Sequence, residues 1–194
     1  MNEKFSSRDL IVNTAARLFF TQGYHATGMS QIIRESECPK GSLYYYFPDG
    51  KEEIAVECIQ IARNNVSNEL RSFLADTTDT AEGLRRMFER FIGEAEKNDC
   101  FDFVPFSFWM AAETSAINEK FRGACRNVFS EWQSILTDHM VTQGIAIQDA
   151  EEKAMLIISM LEGSSILSVT YRDNRALKAI SRHVNAIIHA QPEP

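Results

Sequence analysis

Apolar positions recur every three to four residues along almost the whole chain and alternate with period two nowhere for long, which predicts an all-α fold. A first helix spans about Ser7 to Gln22, with Ile11, Ala15, Leu18 and Phe19 on one face and Gly23 placed as its C-cap. Two short helices follow, one buried through Met29, Ile32 and Ile33 and the other through Leu43 and Phe47. A long helix from near Lys51 to about Ala75 turns Ile54, Cys58, Ile61, Ala62 and Val66 inward, and its length suits it to connect two parts of the molecule and carry movement between them. The polar run from Asp76 to Thr80 breaks the pattern. Beyond it lie a stripe of Leu84, Met87, Phe88, Phe91, Ile92 and Ala95, then a helix of about seven turns. That helix buries Phe121, Ala124, Cys125, Val128, Phe129, Trp132, Ile135, Leu136 and Met140, and ends at Gly144. Two final helices run from about Gln148 to Tyr171 and from about Asn174 to Ala190, the latter with Leu177, Ile180, Val184 and Ile187 inside. About nine helices are expected in all.

The stretch from Met29 to Lys51 carries the most chemistry. Its two short helices are joined by Ser36-Glu37-Cys38, a link short enough to make them cross, and Pro39 suits the first turn of the second, where its missing N–H costs nothing. The residues left outward are Lys40, Gly41, Ser42, Tyr44 and Tyr45. Lys40 can meet a phosphate or a guanine edge, Ser42 can bond base or backbone, and Gly41 permits close approach. The tyrosines can give phosphate hydrogen bonds and apolar contact to a thymine methyl. This is the layout of a DNA-reading helix-turn-helix, although apolar spacing alone equally allows an αα-hairpin whose tyrosines pack in a core or an interface.

A wider pattern separates the two. Ile11, Ala15, Ala16, Leu18 and Phe19 are followed by Gly23-Tyr24, Ala26-Thr27 and Ile32, then by the run from Lys40 to Pro48 and by Lys51-Glu52-Glu53. In these residues the first fifty or so positions resemble the TetR family of bacterial transcription regulators. The resemblance implies that Thr27 caps the second helix and touches a phosphate, that Lys40 to Tyr45 enter the major groove, and that Lys51 meets the DNA backbone at the start of the fourth helix. Glu37 stands where the family often has the turn glycine, and Pro39 where it often has serine. The extra residue in Pro48-Asp49-Gly50-Lys51 is similar to the LmrA/YxaF-type branch. Residues 1–50 are thus expected to form a helix-turn-helix DNA-binding domain, and 51–194 a helical effector-binding and dimerisation domain.

The helix of about Gln148 to Tyr171 is apolar around much of its circumference, with Gly163, Ser164, Ser165 and Ser168 among its small residues, and so needs cover on more than one side. It is either the central helix of a monomer or part of an interface. The resemblance implies that the last two helices pair with their symmetry mates in a four-helix bundle, so that a twofold homodimer presents two reading helices to successive major grooves about 34 Å apart.

Five aromatics crowd the eleven residues from Cys100 to Met110, which also hold Pro105. A hydrophobic effector cavity lined by Phe101, Phe103, Phe106, Phe108, Trp109, Phe129 and Trp132 is expected there, with Asp102, Ser107, Glu113 or Glu162 orienting the ligand. Plain core packing is the competing account of each aromatic.

Composition narrows the picture. The 194 residues are 44% hydrophobic, ample for a core, and the formal net charge of −7 argues against a protein that coats nucleic acid indiscriminately. Residues 1–51 carry Lys4, Arg8, Arg17, Arg34, Lys40 and Lys51 against Glu3, Asp9, Glu35, Glu37 and Asp49, a net +1 that leaves −8 for the rest. The DNA-facing end is therefore the less acidic, and its few phosphate contacts should make binding sensitive to salt. Cys38, Cys58, Cys100 and Cys125 lie far apart without a Cys-x-x-Cys pair, and His25, His139, His183 and His189 are scattered, so neither a disulfide framework nor a metal site is expected, and no cofactor. The chain leads from Met1-Asn-Glu-Lys-Phe into an amphipathic helix rather than a secretory signal, and its apolar run from Ala154 to Tyr171 contains Glu162 and serines. A cytoplasmic protein without a membrane span is expected. An α-helical enzyme or carrier using Asp102, Glu113 or His139 is the remaining rival, but no nucleophile–base pair, phosphate loop or metal spacing is legible.

The expectation is a dimeric repressor, released from an inverted-repeat operator by a small hydrophobic or aromatic effector. An activator or a ligand-independent regulator of the same fold is the alternative.

Overall fold

The computed structural model describes residues 6–98 and 119–190, which form eight helices and no strand. These are α1 (Ser7–Gln22), α2 (Met29–Ser36), α3 (Lys40–Tyr46), α4 (Lys51–Ala75), α5 (Thr80–Asn98), α6 (Glu119–Thr142), α7 (Ile147–Tyr171) and α8 (Arg175–His189). The further helix allowed for by the spacing would fall within 99–118, outside the described residues. Two compact units emerge, residues 6–63 with 119–128 and residues 64–98 with 129–190, and the long helices α4 and α6 each run through both.

In the first unit α1 opens with a capping box: the Asp9 N–H donates to the Ser6 hydroxyl at 3.2 Å, while the Ser6 N–H donates to the Asp9 carboxylate at 3.1 Å. Gly23, at φ 88°, closes the helix as expected, its N–H donating to the Phe19 carbonyl at 3.0 Å. α1 packs on both α2 and α3, and Ile11, Ala15, Leu18 and Phe19 are buried together with Ile32, Leu43 and Phe47. The Cys38 and Cys58 thiols are buried beside the Ser7 and Val12 carbonyls, and burial holds the Cys58 thiol in its protonated form.

The turn is built differently from the residue-by-residue expectation. Pro39 is the N-cap of α3, one position before the first turn, with φ −56° and ψ 140°, and its carbonyl accepts from the Ser42 and Leu43 N–H groups. In α4 the buried arc shifts around the helix, from Ile54, Ala55, Cys58 and Ile59 to Ser67, Leu70 and Leu74. Ile61, expected inside, is left at the exposed edge by that shift.

The second unit follows its stripes closely. All six predicted inner residues of α5 are buried, and α8 packs on both α5 and α7. Lys153, itself buried, donates to the Asp149 carboxylate at 2.7 Å and to the Ala190 carbonyl at 2.9 Å, tying down the end of α8. The His139 ring is similarly occupied. Its Nε2 lies 3.1 and 3.2 Å from the Leu74 and Thr77 carbonyls, which can only accept, so that nitrogen carries the proton. Its Nδ1 faces the Thr80 hydroxyl at 2.7 Å, and the ring thereby fastens the C-terminal end of α4.

Candidate nucleic-acid interface

α3 is a single short helix held by Leu43, which is fully buried, and by Phe47 just beyond its end. Anchoring those two positions forces the remaining side chains outward. Tyr45 is 80% exposed and Tyr44 44%, with Lys40 and Gly41 also exposed and Ser42 half-buried. The Lys40 ammonium lies 5.9 Å from the centre of the Tyr44 ring, a cation–π distance, and the Tyr45 and Tyr46 rings meet edge to face at 5.1 Å. A core role for Tyr44 and Tyr45 is thereby removed. Tyr46, absent from the expected site, is exposed beside them.

Gly41 has no internal reason to be glycine. A Cβ there would meet nothing within 4 Å, yet glycine inside a helix costs about 1 kcal/mol relative to alanine. Open space above the helix backbone is what close approach to an external surface requires.

Lys51 opens α4, directly after Gly50, whose φ of 72° makes the turn out of α3. Its ammonium stands 4.2 Å from the centre of the Tyr24 ring, so the structure brings the turn between α1 and α2 to the first turn of α4. Sequence reasoning missed Tyr24 as a partner of Lys51, because they stand 27 positions apart and only the folded head joins them.

Thr27 does not take the role that the resemblance implies. The N-cap of α2 is Gly28, without a side-chain cap, and Thr27 is only 1% exposed. Its hydroxyl donates to the Gly23 carbonyl at 2.8 Å and accepts from the Gln22 side chain at 3.3 Å, so it braces the α1–α2 turn from inside. Burial leaves it no surface to offer a phosphate.

Of the expected effector residues, Phe101, Phe103, Phe106 and Trp109 lie outside the described residues. Trp132 is buried and meets the half-buried Phe129 edge to face, with ring centres 5.7 Å apart. Glu162 on α7 is 7% exposed, and among the described residues neither carboxylate oxygen has a hydrogen-bond partner. Burial pushes its carboxyl up to about 8, so it is held largely as the neutral acid at neutral pH. The neighbouring Ser164 and Ser165 hydroxyls donate to the Leu161 carbonyl at 2.9 and 2.8 Å, whereas the buried Ser168 hydroxyl has no partner among the described residues. A separate open cavity of about 430 Å³, lined by Arg71, Leu74, Ile135, Asp138, His139 and Thr142, includes none of these residues.

Two family models match the chain: "Bacterial regulatory proteins, tetR family" over residues 11–58 and "Transcriptional regulator LmrA/YxaF-like, C-terminal domain" over residues 80–183. The uncharacterized HTH-type transcriptional regulator YxaF of Bacillus subtilis is 34% identical over 188 residues, covering 97% of this chain and 98% of the relative. The HTH-type transcriptional regulator LmrA of the same organism is 35% identical over 175 residues, covering 90% and 93%. A TetR transcriptional regulator from Legionella pneumophila has the same fold, with a TM-score of 0.82 at 19% identity over 96% of this chain and 98% of that one. The reading head and the buried stripes of the body thus agree with the family matches at both ends, and the chain belongs to the TetR family of transcriptional regulators, in the branch with an LmrA/YxaF-like C-terminal domain.

Proposed function

We propose that this regulator is a homodimeric repressor which reads an inverted repeat with the exposed face of α3 and is released by a small, mainly apolar effector. The observation that carries the reading is the outward set of Lys40, Gly41, Tyr44 and Tyr45 on a helix whose other face is fully anchored. Lys40 and Lys51 supply phosphate contacts, Ser42 and Tyr44 reach base edges, and Tyr45 adds apolar area and a hydroxyl. Thr27 acts indirectly, by holding the turn that leads into α2. A protein acting on chromosomal DNA works in the cytoplasm.

Dimerisation is supported by the outer face of α7. Met155, Leu156, Leu167 and Tyr171 are exposed there, and a Cβ at Gly163 would meet nothing within 4 Å, so this face is apolar and open to close approach. By length and composition α7 also passes for a membrane span, with a mean hydropathy of 1.4 over its most apolar window. A second copy of α7 and α8 covers the same face without a bilayer, and a twofold axis then sets the two reading heads for successive major grooves.

The effector reading rests on Phe129, Trp132 and Glu162. An aromatic pair provides apolar surface, and a buried carboxyl without a partner among the described residues can orient a ligand that brings a hydrogen-bonding group. Repression is lifted when the ligand prefers the state that cannot seat both heads; a tenfold loss of DNA affinity needs about 1.4 kcal/mol of coupling. No arrangement in this reading performs turnover. The test is a reporter driven by the promoter of the regulator's own transcription unit, together with ligand titration of the purified protein–DNA complex. Repression predicts higher expression on gene deletion, and DNA release by ligands that quench Trp132 fluorescence. Lower expression on deletion indicates an activator, and quenching without release indicates a ligand-independent regulator.

A further inference from the structure

The turn between α1 and α2 places Tyr24 at the centre of an aromatic group. Its ring lies 5.4 Å from Phe19, 5.3 Å from His25 and 5.1 Å from Phe121, the last in an edge-to-face arrangement at 75°. Phe121 is buried in the first turn of α6, the same helix that carries Phe129 and Trp132. Beside this group, Lys120 pairs with Glu52 at 3.3 Å, so an ion pair joins the first turns of α4 and α6, and the Tyr24 ring touches a residue of each.

The Lys51 ammonium stands over the face of Tyr24 at 4.2 Å, closer than Lys40 stands over Tyr44. A lysine has a flexible four-carbon stem and loses much rotamer freedom when its charge is fixed. An aromatic face fixes it by quadrupole attraction while offering no oxygen lone pair, so it competes less with a phosphate than a carboxylate does. Of the arginines in the same unit, Arg8 meets Glu57 at 2.8 Å and lies 5.5 Å from the centre of the Phe47 ring, and Arg17 and Arg34 both meet Glu35.

We propose that Tyr24 is the positioning residue for the DNA-backbone contact of this regulator: its ring, braced edge-on by Phe121, holds the Lys51 ammonium where a phosphate of the operator meets it. The proposal rests on the reading that Lys51 contacts phosphate. Tyr24 itself touches no DNA. Its hydroxyl is dispensable in this role, and its ring is not.

The experiment measures the salt dependence of operator affinity for the full-length protein and for Lys51→Ala, Tyr24→Leu and Tyr24→Phe. Each phosphate contact contributes about 0.9 to the slope of log affinity against log salt. The expected result is that Lys51→Ala and Tyr24→Leu each lower the slope by about that amount per bound copy, and that Tyr24→Phe keeps the original slope. A residue that merely stabilised the head would lower affinity without changing the slope. If Lys51→Ala lowers the slope and Tyr24→Leu does not, the positioning role is overturned while the Lys51 contact stands. If Lys51→Ala leaves the slope unchanged, the contact itself is wrong and the proposal falls with it. A second readout needs only the native protein and Tyr24→Phe: ring current should shift the Lys51 ε-methylene protons upfield in both. An unshifted Lys51 signal in the native protein overturns the proposal even if Tyr24→Leu fails to fold.

Discussion

Glu37 closes α2 in the left-handed region at φ 55°, and Pro39, two residues later, opens α3 with an extended ψ of 140°, so the crossing of the two helices is made by a strained residue followed by a rigid one. A left-handed conformation costs a non-glycine residue about 1–2 kcal/mol, part of which glycine gives back through its freer unfolded chain. Glu37→Gly is therefore expected to stabilise the protein by about 0.5–1 kcal/mol. Urea unfolding checks this, and a lower midpoint would show that the Glu37 side chain contributes something the backbone account lacks.

Gly41 separates folding from function. Alanine at this open helical position should raise stability by about 0.5–1 kcal/mol, while its methyl group obstructs close approach to the groove and lowers operator affinity. Thermal unfolding and DNA titration of Gly41→Ala should move in opposite directions. Unchanged DNA affinity would remove Gly41 from the interface.

Thr27→Val tests the placement of Thr27 inside the head. Loss of its bond to the Gly23 carbonyl should cost about 1 kcal/mol of stability. The salt slope of DNA binding should not change, since no phosphate contact is removed. A reduced slope in the folded variant would reinstate Thr27 as a DNA contact.

Glu162 makes stability depend on pH. Its carboxyl titrates near 8 in the folded protein, against an ordinary value of 4.5. Below 4.5 both states hold the proton and the residue contributes nothing to the dependence. Between 4.5 and 8 the folded state keeps a proton that the unfolded state has lost, so stability falls as pH rises, and above 8 the penalty is complete. Glu162→Gln should flatten that decline in unfolding experiments between pH 5 and pH 8, by a few kcal/mol at most on an order-of-magnitude scale. Equal slopes for the two proteins would place Glu162 in a solvated site and weaken its case as a ligand-orienting residue.

The all-α class and nearly every inner stripe were legible because helical burial leaves a periodic trace in sequence, as in α5. The exposure of Tyr44 and Tyr45 followed from the spacing of Leu43 and Phe47. Ile61 was misread because periodicity treats a helix as having one constant inner face, whereas the buried arc of α4 shifts along its length. Pro39 was misplaced by one residue because its φ suits N-cap and first turn alike. Thr27 was assigned by family pattern to a surface role that its hydrogen bond to Gly23 shows to be internal. The pairing of Lys51 with Tyr24 left no local signal at all, since neither residue's neighbours reveal which ring the ammonium will meet.

Reading of a twofold-symmetric operator by the outer face of α3 is tested by selection of bound duplexes from a random library at two salt concentrations. Native protein and the folded variants Lys40→Ala and Tyr44→Ala are compared. Native protein is expected to enrich an inverted repeat with half-sites about one helical turn apart, and both variants to lose the enrichment. Enrichment of the same repeat by either variant, or none by folded native protein at either salt concentration, would contradict that reading.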